Sequence, residues 1–249
     1  MIDANHRQLN TTAATPAAEV DLGLRSFLLG VLTKTALGLL LSAGVAFLVA
    51  SIPGVRDELL GVQEVEGVRR VSLTGLGMIV MISPVAALLV FGAGKQTRAR
   101  SALLFWSFAA GIGASASVLA VVYTGLSIAT AFAGAAAGFG AFSLFGYTTR
   151  RDLTPAGAFF TTGLVGLLVA MALNLMLGSA ALAFAITIIG VIVFAGLIAY
   201  DLQRLKLVYD QARESETSLA VATNTGALCL FLDFVNLFQF LLMALGQRR

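Results

Sequence analysis

Two aspartates stand apart from the other acidic residues of this chain because they fall inside apolar stretches. Asp233 lies in LFLDFVNLFQF, residues 230–240, and Asp201 lies in GLIAYDLQRLK, residues 196–206. A charged Asp at the centre of a membrane helix costs about 2.5–3.5 kcal/mol on insertion scales. A carboxyl that stays protonated, or that faces a polar partner inside the protein, lowers this cost. The two residues are therefore candidates for proton-dependent chemistry inside a membrane.

Helical spacing indicates which residues accompany Asp233. At about 100° per residue, one stripe of the helix holds small and polar side chains together with apolar ones: Gly226, Cys229, Asp233, Asn236, Leu237 and Phe240. This mixture predicts that the stripe faces protein, and Asn236 is placed to donate to the Asp233 carboxylate. Asp201 also has a local explanation, an ion pair with Arg204 three residues along. Two neighbouring carboxyls would titrate in coupled steps, but spacing alone does not show that the two aspartates meet.

The composition is that of an integral membrane protein. The 249 residues are 58% hydrophobic and only 12% charged, whereas soluble proteins carry about 25% charged residues. A bilayer core of about 30 Å requires about 20 apolar residues per helix. Seven stretches meet this requirement and predict an all-α bundle of seven transmembrane helices: residues 26–52, 71–93, 102–123, 127–147, 154–177, 180–200 and 219–245.

The ends and loops predict the domain organisation and the orientation. Residues 1–23 form a polar, disordered cytoplasmic tail in this interpretation, and residues 24–246 form the transmembrane domain. Three loops that fall on the same side carry eight Lys and Arg residues, so the positive-inside rule places them and the N-terminus in the cytoplasm of a bacterial inner membrane: Lys95, Arg98, Arg100, Arg150, Arg151, Arg204, Lys206 and Arg213. Seven full spans put the C-terminus outside, whereas a re-entrant last helix would return it to the cytoplasm. Because these basic residues set topology, the net charge of +3 does not indicate nucleic-acid binding.

Several polar residues inside the spans have more than one interpretation. Gly111, Gly113, Ser115 and Ser117 line the third span with small residues and predict close helix packing. Lys34, inside the first span, either extends to the cytoplasmic interface or reaches an acid within the bundle.

Most enzyme classes are excluded by residue content, so we expect neither an enzyme nor a cofactor. The chain has one cysteine, Cys229, and one histidine, His6, which lies in the polar tail. Zinc sites built from these ligands and a serine protease with a histidine base are therefore not available. An intramembrane aspartyl protease uses two aspartates, but Asp201 is followed by Leu-Gln and Asp233 by Phe-Val, without the companion glycine-rich sequence.

Three stretches resemble the Bax inhibitor-1 family, the transmembrane Bax-inhibitor-motif proteins. They are GYTTRRDL at 146–153, GVIVFAGLIAYDLQRLK at 190–206 and LFLDFVNLFQFLL at 230–242. The resemblance covers residues 24–246. It implies six helices around a central last helix and a pH-sensitive calcium leak.

The same resemblance implies roles for individual residues. Asp201 and Asp233 match two aspartates whose hydrogen-bonded pair closes the cytoplasmic end, and Tyr200 is a supporting neighbour. A basic residue at the cytoplasmic end of the second helix contacts the pair in family members. Lys95, Arg98 and Arg100 are the candidates here, and Arg100 is preferred.

The leading hypothesis is a passive, proton-gated Ca²⁺ leak. Asp201 and Asp233 would contact Ca²⁺ weakly and transiently, because two carboxylates fall short of the six to eight oxygen ligands that Ca²⁺ takes. The alternative is a non-conducting modulator of a membrane-bound protease or another membrane complex, with residues 1–22 as the contact segment. A proton-coupled transporter is a weaker third hypothesis, since the sequence shows no inverted repeat.

Overall fold

The computed structural model describes residues 16–65 and 68–247 as a helical protein with one small β-hairpin. The elements are α1 (Pro16–Ser51), α2 (Pro53–Leu59), β1 (Leu60–Val65), β2 (Val68–Leu73), α3 (Gly75–Gly92), α4 (Arg98–Val122), α5 (Gly125–Thr148), α6 (Thr154–Leu177), α7 (Ala180–Ala212) and α8 (Glu216–Leu245). Residues 1–15 of the predicted tail lie outside the described residues. Residues 16–23, assigned above to the same disordered tail, form the first turns of α1.

Six helices are long and apolar enough to cross a bilayer: residues 22–51 of α1, and α4, α5, α6, α7 and α8. The second predicted span, residues 71–93, is instead the shorter apolar helix α3, whose apolar part is Gly75–Val90. It starts later because residues 71–73 belong to β2 and because the Thr74 hydroxyl caps the helix by accepting from Gly77 N at 3.0 Å. The seven-span count is therefore confirmed for six helices only.

A short helix and a β-hairpin connect α1 to α3, and neither element was predicted from the sequence. β1 and β2 pair antiparallel, from Leu60 opposite Leu73 to Val65 opposite Val68. The Thr74 hydroxyl donates to the Glu58 carbonyl at 2.6 Å and ties the hairpin to α2. The hairpin could have been predicted from the sequence, because two valine-rich stretches separated by two residues are typical of a hairpin.

Hydrogen bonds show that alternate loops meet at opposite ends of the bundle. The end that carries the basic loops α3–α4, α5–α6 and α7–α8, together with the start of α1, is called the basic end below. Its contacts are Gln203 Nε2 to Arg151 O (2.8 Å), Lys206 Nζ to Tyr147 O (2.5 Å) and Asn224 Nδ2 to Arg98 O (3.4 Å). At the other end, Gln247 N donates to Ser127 Oγ at 2.9 Å, beside the α4–α5 connection. The last helix thus crosses the bundle once, and a re-entrant last helix is excluded.

The last helix packs against α1, α4, α5 and α7, whereas α6 packs on α7, and α3 packs on α4. Small residues allow the close contacts, as predicted for the third span. A Cβ placed on Gly113 of α4 would lie 2.5 Å from the Ser42 carbonyl oxygen of α1. The Ser42 hydroxyl donates back to the Ala109 carbonyl of α4 at 2.6 Å. Such backbone proximity is how helices associate in lipid, where packing replaces the hydrophobic effect.

Candidate functional site

Helix α8 positions Asp233 in the protein interior. The helix begins at a Ser215 cap whose hydroxyl accepts from Ser218 N at 3.4 Å, and it runs without interruption to Leu245. Asp233 is 6% exposed, and among the side chains whose burial the structure describes it is the only acidic or basic one that is buried. The predicted protein-facing stripe is confirmed, since Gly226, Leu237 and Phe240 on the same face are buried as well.

The structure brings Asp201 of α7 next to Asp233 of α8. Their carboxyl groups are hydrogen-bonding neighbours. Asp233 Oδ2 is buried, and no hydrogen-bond donor among the described residues reaches it. An ionised carboxylate only accepts hydrogen bonds, so this contact requires a proton on one of the two groups. Two neighbouring carboxyls of this kind can share one proton between the two helices, and they are called the acid pair below.

A local ion pair does not account for Asp201. Arg204 acts on the Asp201 carboxylate electrostatically, but the two side chains form no direct ion pair in the described part of the chain. Arg204, one helical turn along α7, is nevertheless a cation that interacts electrostatically with the Asp201 carboxyl. Arg100 is the residue that the family resemblance favours for this position.

A cavity of about 100 Å³ adjoins the acid pair, between α7 and α8. Its polar lining comes from Asp201, Arg204, Thr225 and Cys229. The residues that line it on α7 run from Asp201 to Val208, so the cavity extends from the pair toward the basic end. At about 30 Å³ per water in the liquid, it accommodates a few water molecules. Water in this cavity would reach the Asp201 carboxyl from the basic end.

Cys229 was named in sequence analysis only as a member of the stripe, and the structure places it at the site. Its thiol lies close enough to both Asp201 and Asp233 to interact with them electrostatically, and it lines the cavity. The signal was present in the sequence, because Cys229 precedes Asp233 by one helical turn.

Asn236 does not donate to Asp233. Its Nδ2 donates to the Leu232 carbonyl of the preceding turn at 2.8 Å. Short polar side chains in helices commonly bond to the backbone four residues earlier, and that local bond takes the amide. The prediction of an Asn236–Asp233 hydrogen bond is wrong.

Arg100 and Tyr200 each contact a neighbouring helix. Arg100 Nη2 donates to the Val90 carbonyl of α3 at 2.6 Å, so this side chain joins α4 to the last turn of α3. Tyr200 packs its ring on α6, where a Cβ on Gly157 would overlap it. Both residues connect helices around the basic end.

The acidic residues supply few ligands for a metal ion. Across residues 16–65 and 68–247, no cluster of three or more His, Cys, Asp or Glu side chains forms. Asp201 and Asp233 therefore offer two carboxyl groups, and Ca²⁺ takes six to eight oxygens. The arrangement fits brief contact with a hydrated cation better than a permanent site.

A second polar cluster within the bundle was not predicted. Lys34 Nζ donates to Asn224 Oδ1, and Asn224 Nδ2 donates to the Ser101 hydroxyl at 2.7 Å. The ammonium also lies 5.6 Å from the ring centroids of Phe105 and Trp106. Lys34 thus extends toward the basic end, where Asn224 also donates to the Arg98 carbonyl, and it meets no acid among the described residues. Its partners are a neutral amide and two aromatic faces, which link α1, α4 and α8.

The comparison with known proteins matches a region of the chain that includes both aspartates. The family model described as "Inhibitor of apoptosis-promoting Bax1" matches residues 24–249, which include α7 and α8. The chain belongs to the Bax inhibitor-1 family. The family assignment made from the three sequence stretches is confirmed.

Bacterial relatives within the Bax inhibitor-1 family match nearly the whole chain. An uncharacterized protein of Caulobacter vibrioides is 47% identical over 232 residues, 92% of each chain. Uncharacterized protein RP147 of Rickettsia prowazekii is 39% identical over 251 residues, the full length of both. Inner membrane protein YbhL of Escherichia coli is 40% identical over 230 residues, 91% of this chain and 94% of the relative. This member of the family is a membrane protein with several apolar helices.

Proposed function

We propose that this protein is a pH-sensitive Ca²⁺ leak channel of the bacterial inner membrane, gated by the proton that Asp201 and Asp233 share. The observation that carries the proposal is the contact between these two carboxyls. Asp233 is buried, and no hydrogen-bond donor among the described residues reaches its Oδ2. In this proposal α3 is the seventh span, α8 is the central helix, and the basic end with the N-terminus faces the cytoplasm.

The gate follows from the charge of the acid pair. With one proton present, a hydrogen bond joins α7 to α8 and the pair carries a single negative charge. Removal of that proton leaves two negative charges without a donor, and two unit charges about 4 Å apart repel by roughly 4 kcal/mol at an effective dielectric constant of 20. The repulsion favours separation of α7 and α8 beside the cavity that Asp201 and Arg204 line.

Cation passage fits the same residues. Carboxylate oxygens are hard ligands that suit Ca²⁺, and the cavity that Asp201 lines has room for a few water molecules. Two carboxyls bind a hydrated cation weakly, so the ion leaves again. Passive leak, without energy coupling, requires nothing more than this weak contact and a water-filled path.

Ca²⁺ flux in liposomes tests the proposal. We expect wild-type flux to change with pH by up to about tenfold per unit, the limit for a one-proton transition. The Asp233→Asn variant cannot ionise at this position, so its flux should not follow the same pH curve. Asp210→Asn is the matched control, because Asp210 is an exposed acid on α7 at the basic end, and this variant should keep the wild-type profile.

Two results would contradict the proposal in different ways. An Asp233→Asn protein that leaks with unchanged pH dependence removes the acid pair from gating. A wild-type protein that conducts no Ca²⁺ at any pH favours the non-conducting modulator, and deletion of residues 1–15 should then abolish capture of its membrane partner.

A further inference from the structure

A second, larger groove lies at the basic end, between α1 and α5. It has a volume of about 400 Å³, within the range of about 300–1,000 Å³ that is typical of small-molecule sites. Apolar side chains form its walls: Leu28, Leu29 and Leu32 on α1, and Phe139 and Leu144 on α5. Leu29 and Leu144 are 54% and 62% exposed, so the groove opens toward the lipid. Its shape and lining suit a hydrocarbon chain.

One polar atom in this groove lacks a partner. Ser143 lines the groove, is only 7% exposed, and its hydroxyl has no hydrogen-bond partner among the described residues. A buried hydroxyl without a partner costs about 1–3 kcal/mol, so a ligand that accepts a hydrogen bond would be favoured here. Ser143 lies five residues before the end of α5 at Thr148, which corresponds to about 7.5 Å of helix. This is a short distance below the membrane surface.

The mouth of the groove is positively charged. Arg25 lines it, and the structure shows no hydrogen bond or ion pair of Arg25 with the described residues. Tyr147 forms the opposite wall, where Lys206 Nζ donates to its carbonyl at 2.5 Å and lies 5.2 Å from its ring centroid. One cation, Arg25, therefore lines the groove, and a second, Lys206, contacts its Tyr147 wall.

We propose that the α1–α5 groove binds an anionic phospholipid from the leaflet at the basic end. One acyl chain occupies the leucine-lined groove, an ester oxygen accepts from the Ser143 hydroxyl, and the phosphate lies against Arg25. Basic pockets between transmembrane helices are known to bind acidic headgroups in this way. The site is separate from the acid pair, which lies between α7 and α8, so it does not depend on the function proposed above.

Gly140 provides a test of the acyl-chain position. It lines the groove, and a Cβ added there meets no atom within 4 Å. The Gly140→Leu side chain therefore fills space that the lipid would use without displacing the protein. Gly166→Leu is the matched control, because Gly166 is an exposed helical glycine on α6 with equally open surroundings. Each purified, folded variant is titrated in detergent with phosphatidylglycerol, and bound lipids are counted by native mass spectrometry.

We expect Gly140→Leu to weaken phosphatidylglycerol binding at least about tenfold, equivalent to about 1.4 kcal/mol, and Gly166→Leu to bind like wild type. Equal binding by the two variants would overturn the proposal. A wild-type dimer that dissociates on Gly140→Leu, without any bound lipid, would show that a second copy of the chain occupies the groove, and this result also overturns it.

Arg25 and Ser143 test the headgroup and ester contacts. Arg25→Gln should weaken phosphatidylglycerol binding about fivefold, from about 1 kcal/mol per basic residue at an anionic surface, and leave phosphatidylcholine binding unchanged. Arg150→Gln, an exposed arginine at the same end, should have no such effect; equal losses in both variants would indicate non-specific attraction and contradict the site. Ser143→Ala should leave the melting temperature of lipid-free protein unchanged but reduce the stabilisation produced by added lipid. Unchanged stabilisation by lipid would remove Ser143 from the site.

Discussion

The acid pair and the Lys34 cluster both place ionisable groups inside the bundle, but they satisfy those groups differently. Lys34 has a neutral amide partner in Asn224, which in turn bonds to Ser101, and it faces two aromatic rings. Asp233 has another acid, Asp201, as its hydrogen-bonding neighbour, and no hydrogen-bond donor among the described residues reaches its Oδ2.

The difference separates a structural contact from a responsive one. The partners of Lys34 do not titrate, so its hydrogen bond to Asn224 is maintained by fixed dipoles and stabilises the contact of α1, α4 and α8. The bond between two acids exists only while a proton is present. A bundle can thus use one polar contact to hold its helices and another to respond to pH.

The largest expected effect concerns the acid pair as a unit. Asp201→Asn should remove the pH dependence of Ca²⁺ flux as completely as Asp233→Asn, and the double variant should add little, because both changes remove the same shared proton. In wild type one proton changes flux by up to about tenfold per pH unit. Liposome flux across a pH series measures all three variants. Additive effects of the two substitutions would show that the aspartates act independently.

The next prediction asks whether the Lys34 cluster is structural. Asn224→Ala leaves the Lys34 amine without its partner, so the free energy of unfolding should fall by about 1–3 kcal/mol. The pH dependence of flux should stay as in wild type. Unfolding by denaturant in detergent gives the stability. Asn236→Ala is the control on the same helix, and it should change stability by no more than about 0.5 kcal/mol, since Asn236 bonds only to its own turn. A changed pH profile in Asn224→Ala would show that the Lys34 cluster and the acid pair act as one site.

A smaller effect is expected when both partners of the cluster become apolar. The Lys34→Met, Asn224→Leu double variant leaves neither polar group unsatisfied, and replacing a buried polar pair by apolar residues is often nearly neutral. Its unfolding free energy should lie within about 1 kcal/mol of wild type, above that of Asn224→Ala. A double variant less stable than the single one would mean that Lys34 has a role beyond this hydrogen bond.

The smallest effect concerns an acid outside the membrane, Asp152, in the α5–α6 loop. Hydrogen bonds from the Thr154 side chain and backbone lower the pKa of this exposed carboxyl from its ordinary value, and Thr154 N lies 2.9 Å from Oδ1. Because the folded pKa is lowered, the stabilisation is complete above the unfolded value of about 3.9 and is lost as pH falls through the folded pKa. Asp152→Asn should melt slightly below wild type at neutral pH and together with it in strong acid. A difference that persists in strong acid would mean that another interaction was changed.

The sequence predicted some residues of the site better than others. Asp201 and Asp233 were found because an acid inside an apolar stretch is rare and costly. Arg100, Asn236 and Tyr200 were selected from spacing or resemblance. Contacts that the structure gives them include the Val90 carbonyl, the Leu232 carbonyl and Gly157, respectively. Long side chains have several partners within reach, and periodicity on one helix does not say which is taken.

Composition and hydropathy by themselves determined that the chain is helical and membrane-spanning, because hydrocarbon leaves the backbone of an apolar segment few alternatives to a helix. They also determined six of the spans and showed that Asp201 and Asp233 lie inside apolar segments, apart from the other acidic residues. Only the tertiary structure decided that α7 lies beside α8, that Lys34 meets Asn224, and that an open groove separates α1 from α5. In lipid, these pairings depend on side-chain shape and close backbone approach, as at Gly113 against Ser42, and not on hydrophobicity, which is nearly the same on every face.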